Sequence, residues 1–252
     1  MVYLMSIITT KTPQFSRFET IMNKRYLIVG ASKGIGNAIA RILHEAGNEI
    51  IALSRTEGDL AELDRVTYFE YDATLPKGFP EIDESIDGVV YCPGSINLRP
   101  FNRLSEKDFL DDFMVNLLGA VRVIQKTLPN LKQSKEPAIV LFSTVAVQTG
   151  MGFHSSVSAS KGAVEGLTRS LAAEFAPSLR VNCIAPSLTE TPLTERLLNT
   201  PDKRKASAAR HPLNKVGAAA DIAAMAVFLL SEKASFITGQ IIHVDGGMSA
   251  VR

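Results

Sequence analysis

The sequence predicts an α/β protein, a single domain built on a doubly wound parallel sheet with helices on both faces. Three observations support this. Unbroken apolar runs alternate along the chain with segments of helical periodicity. A glycine-rich turn lies directly between the first apolar run and the first helical segment. The length of 252 residues is in the range in which α/β folds often form one domain.

The first half of the chain contains four predicted strands and one helix. The strands are apolar runs rich in β-branched and aromatic residues, at 25–30, 48–54, 66–71 and 88–92. The helix lies between the first two strands, and Gly47 ends it. Its apolar residues recur at helical spacing and are Ile35, Ile39, Ile42 and Leu43. A strand, a helix and a second strand in this order predict a parallel pair.

The second half continues the same alternation. Helices are predicted near 105–129 and 155–176 and at 219–231, and strands at 138–143, 179–185 and 240–244. Sheets of this kind bind ligands beyond the carboxyl ends of their strands, at the point where the strand order reverses. We therefore expect the functional residues to follow the strands rather than to precede them.

Two segments lie outside this regular pattern. Residues 1–22 precede a natural start of the first strand, and we predict an N-terminal extension followed by one domain at 23–252. The stretch around 187–214 contains several prolines and a short helical pattern, and it is too long for a simple connector. We predict that it forms a lid over the site.

Composition excludes several classes of function. The net charge of +1 gives no electrostatic case for nucleic acid, and no concentrated basic stripe is present. The longest apolar run, at 222–230, is shorter than a membrane span, so we expect no membrane contact. The two cysteines, Cys92 and Cys183, are too few for a disulfide framework and favour core thiols in a reducing compartment. We expect a cytoplasmic protein without a metal site.

The turn "GASKGIG" at 30–36 predicts a dinucleotide-binding site. Its glycines follow a strand and open a helix, which is the context that gives a glycine triplet its meaning. Gly30 permits the tight turn, Gly34 allows close backbone approach, and Gly36 lets helix and strand pack. The amides at the helix N-terminus suit a pyrophosphate. The alternative is a purely structural glycine turn.

Residues at the end of the second strand indicate the type of dinucleotide. Sites for the unphosphorylated cofactor usually place a carboxylate there, whereas this chain has Ser54 and Arg55. Lys33 in the glycine turn adds a second cation on the same side, and cations suit a 2′-phosphate. NADP(H) is therefore favoured over NAD(H), the alternative being that both cations are solvated surface charges.

Further motifs extend the pattern along the chain. They are "YDAT" with Asp72, "NLLGA" with Asn116, "SKGAVEGLTRSLAAE" with Lys161, "VNCIAPSLTET" with Pro186 and Thr191, and "ITGQIIHVDGG". With "GASKGIG", they make the sequence resemble the short-chain dehydrogenase/reductase family. The resemblance covers about residues 24–250 and is greatest to the subgroup that contains 3-oxoacyl carrier-protein reductases. It implies the Rossmann fold already predicted above.

The resemblance also implies roles for individual residues. Asp72 would contact the adenine, Lys161 the nicotinamide ribose, and Leu188 and Thr191 the nicotinamide amide or the phosphates. The full set of expected cofactor contacts is Gly30, Ser32, Lys33, Gly34, Ile35, Gly36, Ser54, Arg55, Asp72, Ala73, Gly94, Lys161, Pro186, Leu188 and Thr191.

The catalytic positions agree with the family except at one place. In the family a serine holds the substrate oxygen, a tyrosine transfers the proton, and a lysine lowers the pKa of that tyrosine. The serine position is Thr144 here and the lysine is Lys161, with Asn116 expected to support a water-linked proton relay. The tyrosine position, four residues before the lysine, is Val157. We therefore predict Asn116, Thr144 and Lys161 as catalytic residues of an atypical site.

Other groups could replace the missing phenol. His154 would share a helix face with Val157 and Lys161 if the helix extended back that far, and an imidazole can act as an acid. A water held by Lys161 and Thr144 is the other candidate. Tyr91 ends a strand near the cofactor site, and packing or a ribose contact is expected of it.

These observations lead to one functional prediction and its alternatives. The first is an NADP(H)-dependent reductase of a small carbonyl compound, or dehydrogenase of the alcohol. The second is a weak or inactive NADP(H)-binding sensor or partner subunit, which Val157 favours. Non-redox chemistry on the same scaffold is a third. The resemblance further implies a homo-oligomer, a dimer or tetramer, packed through the helices near 105–129 and 155–176 and the last strand.

Overall fold

The computed structural model describes residues 23–251, so the predicted extension at 1–22 lies outside the described residues. Nine strands are present in this part of the chain. They are β1 (Arg25–Val29), β2 (Glu49–Ser54), β3 (Val66–Glu70), β4 (Gly88–Tyr91), β5 (Ala138–Phe142), β6 (Arg180–Pro186), β7 (Thr189–Glu190), β8 (Gly217–Ala218) and β9 (Ile241–Val244).

Seven of these strands form one parallel sheet in the order β3-β2-β1-β4-β5-β6-β9. The chain runs outward from β1 to β3 and then returns to the other side of β1 with β4. The strand order therefore reverses between β1 and β4, where the carboxyl ends diverge and leave a crevice. The predicted doubly wound parallel sheet is confirmed.

Eight α-helices surround the sheet in the described residues. They are α1 (Gly34–Glu45), α2 (Glu106–Phe113), α3 (Gly119–Leu131), α4 (Ala146–Thr149), α5 (Ser155–Phe175), α6 (Glu195–Leu198), α7 (Pro201–Ala208) and α8 (Ala219–Leu230). The helix predicted near 105–129 is one run in the structure, with a π-helical turn, Met114–Leu118, between α2 and α3. Such turns are frequent at functional sites, and Asn116 lies in this one.

Each face of the sheet carries its own core because successive strand residues point to opposite sides. In β1, Tyr26 and Ile28 join the core that includes residues of α1 and α8. Leu27 and Val29 join the other core, with residues of α3 and α5. Helices on both faces therefore bury the sheet, which explains why its strands are continuously apolar.

The predicted element bounds agree with the structure to within about two residues. The connection between β3 and β4 contains no helix, in keeping with Pro76, Gly78 and Pro80 in that segment. Between β2 and β3 the chain forms only a 3-10 turn, Gly58–Glu62. Along residues 23–251 we find no helix that combines the length and hydropathy needed to cross a bilayer.

The segment predicted as a lid is ordered into small elements. After β6 the chain forms β7, a 3-10 turn at Pro192–Thr194, α6 and α7, and it returns as β8, which pairs with β7. Residues from this segment lie beside the carboxyl ends of the sheet strands. The segment therefore covers the crevice, and its motion as a lid stays a prediction.

Candidate functional site

Two adjoining cavities occupy the crevice at the carboxyl edge of the sheet. The larger has a volume of about 750 Å³ and lies against the glycine turn and the end of β2. The smaller has a volume of about 340 Å³ and lies between β5, β6, α5 and the covering segment. The residues that line both cavities are Ile35, Cys92, Gly94, Ser95, Thr191 and Leu193. The two cavities are therefore neighbouring parts of one site.

The glycine turn has the backbone that its sequence predicts. Gly30 and Gly34 have φ values of 79° and 60°, in the left-handed region that other residues rarely adopt. A Cβ atom at Gly36 would lie 2.3 Å from the carbonyl oxygen of Gly30. Glycine is therefore required at Gly36 by the close packing of α1 on the turn.

The N-terminus of α1 is open toward the larger cavity. Lys33, its N-cap residue, makes no side-chain capping hydrogen bond, and the first turn contains no acidic residue. The first amides of a helix have no partner within the helix, and the helix dipole adds positive potential there. The turn and the helix end thus fit the pyrophosphate of a dinucleotide.

Two cations flank the same cavity without partners. Lys33 and Arg55 both line it and are exposed, and within residues 23–251 neither forms an ion pair. By contrast, nearby Arg41 is paired with Asp59 at 2.7 Å. The Ser54 hydroxyl is already engaged, since it donates to the carbonyl oxygen of Thr56 at 2.8 Å. The two cations are therefore free to bind an anionic group.

Asp72 is the one carboxylate among the described residues that line the larger cavity. It accepts hydrogen bonds from the amide of Thr74 at 2.9 Å and from its hydroxyl at 2.7 Å. These bonds, together with the nearby charge of Arg55, lower the pKa of Asp72. The carboxylate is thus held at the end of β3 as a fixed acceptor.

The sequence-predicted residues divide between the two cavities. Those that line the larger one are Gly30, Ser32, Lys33, Gly34, Ile35, Gly36, Ser54, Arg55, Asp72, Ala73, Gly94 and Thr191. Those that line only the smaller one are Thr144, Lys161, Pro186 and Leu188. Asn116 lines neither cavity and lies behind them, 1% exposed. The structure thus brings all but one of these residues to the crevice.

Lys161 projects from α5 to the junction between the cavities. Its Nζ donates to the carbonyl oxygen of Phe142, at the end of β5, at 2.9 Å. Burial lowers the pKa of Lys161 to about 8, although Cys183, Cys92 and Asp112 oppose the shift. The ammonium group therefore lies where its charge can stabilise a developing negative charge on a bound oxygen.

Asn116 supports the site from the π-helical turn. Its amide nitrogen donates to the hydroxyl oxygens of Ser95 at 3.0 Å and Ser160 at 2.9 Å. A Cβ atom at Gly94 would lie 3.4 Å from the side-chain oxygen Oδ1 of Asn116 and 3.5 Å from Lys161 Nζ. The side chains of Asn116 and Lys161 therefore both approach Gly94.

This network also contains a buried carboxyl group that was not predicted from the sequence. Asp112 is 2% exposed and accepts a 2.5 Å hydrogen bond from the hydroxyl of Ser95. Its second oxygen has no hydrogen-bond partner in the described structure. The available signal was the four-residue spacing to Asn116, which predicts one helix face.

The position at which the resemblance implies a tyrosine is apolar. Val157 lines the smaller cavity, one turn of α5 before Lys161, and is 6% exposed. Thr144 lines the same cavity and accepts a hydrogen bond from the amide of Ala146 at 3.3 Å, which leaves its hydroxyl hydrogen free. The hydroxyl of neighbouring Ser143 is bonded to Glu165 at 2.7 Å. Thr144 is therefore the available hydroxyl at the serine position.

For Tyr91 the structure favours packing over a ribose contact, and for His154 the helix does not extend back far enough to include it. Tyr91 is 2% exposed and donates to the carbonyl oxygen of Val115 at 2.6 Å, so it packs and lines neither cavity. His154 does not belong to α5, which begins at Ser155, because Phe153 before it has a φ of 68° that ends helical backbone. It nevertheless lines the smaller cavity, and its Nδ1 donates to the Gly152 carbonyl oxygen at 2.7 Å.

A second pair was also not predicted from the sequence, and its members are Ser187 and His211. The structure places His211 Nε2 2.9 Å from Ser187 Oγ, at the wall of the smaller cavity. No periodicity links residues so far apart in the chain, so the sequence held no signal for this contact.

Comparison with known proteins agrees with this architecture. Residues 30–249 match a family model described as enoyl-(acyl carrier protein) reductase. The chain is 31% identical to L-xylulose reductase of Bos taurus over 247 residues, covering 91% of this chain and 98% of the relative. It is 33% identical to a 3-oxoacyl acyl-carrier-protein reductase of Staphylococcus epidermidis over 245 residues, covering 90% and 99%.

Solved structures give the same picture. Ligand-free aldohexose dehydrogenase of Thermoplasma acidophilum superposes with a TM-score of 0.85 at 30% identity, covering 92% of this chain and 96% of that one. A short-chain type dehydrogenase/reductase of Mycobacterium ulcerans gives a TM-score of 0.85 at 28% identity, covering 92% of both chains. The similarity extends over the sheet, the helices and the covering segment.

Proposed function

The chain belongs to the short-chain dehydrogenase/reductase family, and from this premise we propose that it is an NADP(H)-dependent oxidoreductase. It reduces a small carbonyl compound or oxidises the corresponding alcohol in a site that lacks the family's tyrosine. The larger cavity binds the dinucleotide, and the smaller cavity binds the substrate.

The observation that carries the cofactor preference is the pair of free cations at the larger cavity. Among residues 23–251, Lys33 and Arg55 face it without carboxylate partners, and the end of β2 offers a serine where a ribose-binding carboxylate would stand. A 2′-phosphate carries about two negative charges and would pair with both cations. An unphosphorylated ribose would leave them unused.

The chain's own residues supply orientation and charge in this proposal. A dinucleotide held in the larger cavity would supply the hydride chemistry. Thr144 donates its hydroxyl hydrogen to the substrate oxygen, and the Lys161 ammonium stabilises negative charge as it develops there. Asn116 holds Ser95 and Ser160 behind this position, which keeps the polar network fixed while the reaction proceeds.

The alternative is an NADP(H)-binding protein with little or no turnover. Val157 favours it, because a positioned general acid typically contributes about 100- to 10,000-fold to the rate. We favour the enzyme, since Thr144 and Lys161 both line the cavity beside the cofactor site. Loss of one group leaves hydride alignment and charge stabilisation in place.

The test is a calorimetric titration of the protein with NADPH and with NADH. We expect a dissociation constant for NADPH on the order of 1 to 100 μM. The variants Arg55→Ala and Lys33→Ala should each weaken NADPH binding about tenfold, through loss of a charge-assisted contact, with little effect on NADH. Lys77→Ala, an exposed lysine outside the cavity, is the matched control. Equal binding of both dinucleotides would contradict the preference.

A substrate screen completes the test. The relatives include reductases named for L-xylulose and for 3-oxoacyl groups, so sugars, simple ketones and 3-oxoacyl thioesters form the panel. NADPH oxidation is followed by absorbance. Binding of NADPH without turnover of any member would support the non-catalytic alternative.

We further propose that the chain works as a homo-oligomer, a dimer or tetramer, in the cytoplasm. Leu110 on α2 and Leu118 in the π-helical turn are 59% and 41% exposed, and an interface would cover them. The outer edge of β9 is also free of a neighbouring strand in the described residues. Light scattering of the purified protein measures the assembly.

A further inference from the structure

A serine and a histidine form a hydrogen-bonded pair at the wall of the smaller cavity. Ser187 follows β6 and lines the cavity. His211 follows α7, is 4% exposed, and does not line the cavity itself. Its Nε2 lies 2.9 Å from Ser187 Oγ, and its Nδ1 lies 2.9 Å from the carbonyl oxygen of Ser207. His211 therefore stands directly behind Ser187.

The chemistry of these partners fixes the direction of each hydrogen bond. A carbonyl oxygen can only accept, so Nδ1 of His211 carries a hydrogen. In the neutral ring Nε2 then has a lone pair and accepts the hydroxyl hydrogen of Ser187. The lone pairs of Ser187 Oγ are left for a donor in the cavity. A substrate hydroxyl, the hydroxyl of Ser187 and Nε2 of His211, in this order, form a path for a proton.

Several backbone contacts hold the histidine in place. Its amide donates to the carbonyl oxygen of Ala208 at 3.0 Å, and its carbonyl oxygen accepts from the amide of Asn214 at 2.7 Å. On its other side, a Cβ atom at Gly246 would lie 3.5 Å from His211 Cβ and 3.6 Å from Cδ2. The ring is thus positioned by the covering segment and the turn after β9 together.

The other hydroxyl groups of the cavity are arranged differently. Ser143 donates to a buried carboxylate, and Thr189 donates to the backbone carbonyl of Ser187. Thr144 has a free hydroxyl hydrogen but no basic side chain within hydrogen-bond distance. Among the hydroxyls lining the smaller cavity in residues 23–251, Ser187 alone is bonded to a histidine. Its partner is therefore an imidazole, a group that can take up a proton and return it.

We propose that Ser187 and His211 carry the proton that a tyrosine carries elsewhere in the family. This inference rests on the oxidoreductase function proposed above. In alcohol oxidation the substrate hydroxyl gives its proton to Ser187 Oγ, and the Ser187 proton passes to Nε2 of His211. The O–H bonds of the substrate and of Ser187 break as a new O–H bond at Ser187 and an N–H bond at Nε2 form, so the imidazole gains the net proton, and an oxidised dinucleotide in the larger cavity would supply the hydride acceptor. Carbonyl reduction reverses each transfer.

The first experiment separates proton transfer from binding. Ser187→Ala removes the hydroxyl, and His211→Gln keeps a polar side chain that cannot take up a proton. With NADPH and ethyl acetoacetate, or the panel ketone reduced fastest, each variant should lower kcat about 100-fold. KM should change less than about threefold, because the proton transfer contributes only in the transition state and not to substrate binding in the ground state. His44→Gln, at a partly buried histidine that lines neither cavity and is paired with Asp64, is the matched control.

A double variant tests whether the path replaces the phenol. Val157→Tyr restores the family's proton donor beside Lys161. In the His211→Gln background it should raise kcat at least tenfold, since a second acid is then available. If Val157→Tyr does not raise kcat in the His211→Gln background, His211 has a structural role and the proposal is overturned.

If turnover is too slow to measure, NMR of the histidine rings tests the proton path. The chain has four histidines, and NMR of isotope-labelled imidazole rings resolves them, with His211→Gln giving the assignment. Trifluoroethanol, an alcohol that resists oxidation, is titrated into the protein saturated with NADP⁺. The Nε2 signal of His211 should shift, and Ser187→Ala should abolish the shift. An unchanged His211 signal overturns the proposal.

These readouts distinguish two kinds of failure. If calorimetry detects no NADPH binding, the proposed function fails whatever the histidine does. If NADPH binds and ketones are reduced, but Ser187→Ala and His211→Gln leave kcat unaltered, only the proton path fails.

Discussion

The two cavities of this protein differ in what builds them. The larger one is formed around backbone: the amides of the glycine turn, the open end of α1 and the close packing of Gly36 on Gly30. The smaller one is formed around side chains, with Thr144, Val157 and Lys161 on its wall. The predicted glycine turn forms one wall of the first cavity, whereas Val157 lines the second at the position where the resemblance implies a tyrosine.

This difference has a physical basis. A backbone site depends on φ and ψ values that few residues adopt, so its sequence can change little without loss of shape. A side-chain site depends on functional groups that can be supplied from several positions around one cavity. Binding of the dinucleotide and transfer of the proton are therefore separable properties, and they can be tested separately.

The largest effect is expected from a substitution that distorts the larger cavity, which is formed around backbone groups. In Gly36→Ala the new Cβ atom would lie 2.3 Å from the Gly30 carbonyl oxygen, so the turn must shift. We expect NADPH affinity to fall about 100-fold or more by calorimetry, because the phosphate amides move with the turn. Gly166→Ala, at an exposed position of α5 with open space around it, is the control. Similar affinity in both variants would contradict the backbone argument.

The next largest effect is on the free energy of unfolding and comes from Lys161, which lines the smaller cavity. Burial lowers the pKa of Lys161 to about 8 from a usual value of 10.5. Between these values the unfolded chain binds a proton that the folded chain does not, so the free energy of unfolding rises with pH. From pH 8 to pH 10 the protein should gain about 2 kcal/mol relative to Lys161→Met.

Urea denaturation of both proteins at a series of pH values measures this difference. The penalty for burying the charged lysine is fully present below pH 8 and is relieved as the pH rises. Parallel pH curves for the two proteins would mean that Lys161 keeps its charge at no cost in the folded state.

A smaller effect is expected from restoring the phenol in the otherwise unchanged protein. Val157→Tyr should raise kcat about tenfold and leave NADPH affinity unchanged, because it alters only the side-chain cavity. The gain is less than the full contribution of an acid, since Ser187 and His211 already provide a path. Ketone reduction and NADPH titration are measured on the same samples. A change in NADPH affinity would show that the two cavities are not independent.

The smallest effect concerns the carboxyl group behind the site. The charge of Asp112 raises the pKa of Lys161 and so opposes the effect of burial. Asp112→Asn should therefore move the midpoint of the pH-dependent stability gain downward by a fraction of a pH unit. An upward shift would contradict the assigned charge. The same denaturation series gives the answer.

Much of the fold followed from the sequence. Seven apolar strands, the glycine turn and the main helices were predicted within about two residues, because burial on both faces requires continuous apolar runs. The start of α5 was less predictable. Helical spacing suggested that His154 could join it, but the positive φ of Phe153 is a tertiary constraint without a signature in side-chain periodicity.

Local sequence also placed the candidate residues around one crevice, since the carboxyl ends of parallel strands meet at the same edge of the sheet. Local sequence did not predict the contacts between distant segments. Ser95 meets Asp112 from 17 residues away, and Ser187 meets His211 from 24 residues away. Each contact depends on how a loop and a helix pack, which side-chain pattern alone does not specify.

The sequence by itself determined a parallel sheet, a glycine turn suited to phosphate, and an aliphatic residue where the family has its tyrosine. Only the tertiary structure decided which groups surround that aliphatic residue. A hydrogen bond forms over about 3 Å, whereas the covering segment that carries His211 can cross the sheet edge in many ways. Periodicity determines which face of an element is buried, and the packing of the elements determines which side chains meet.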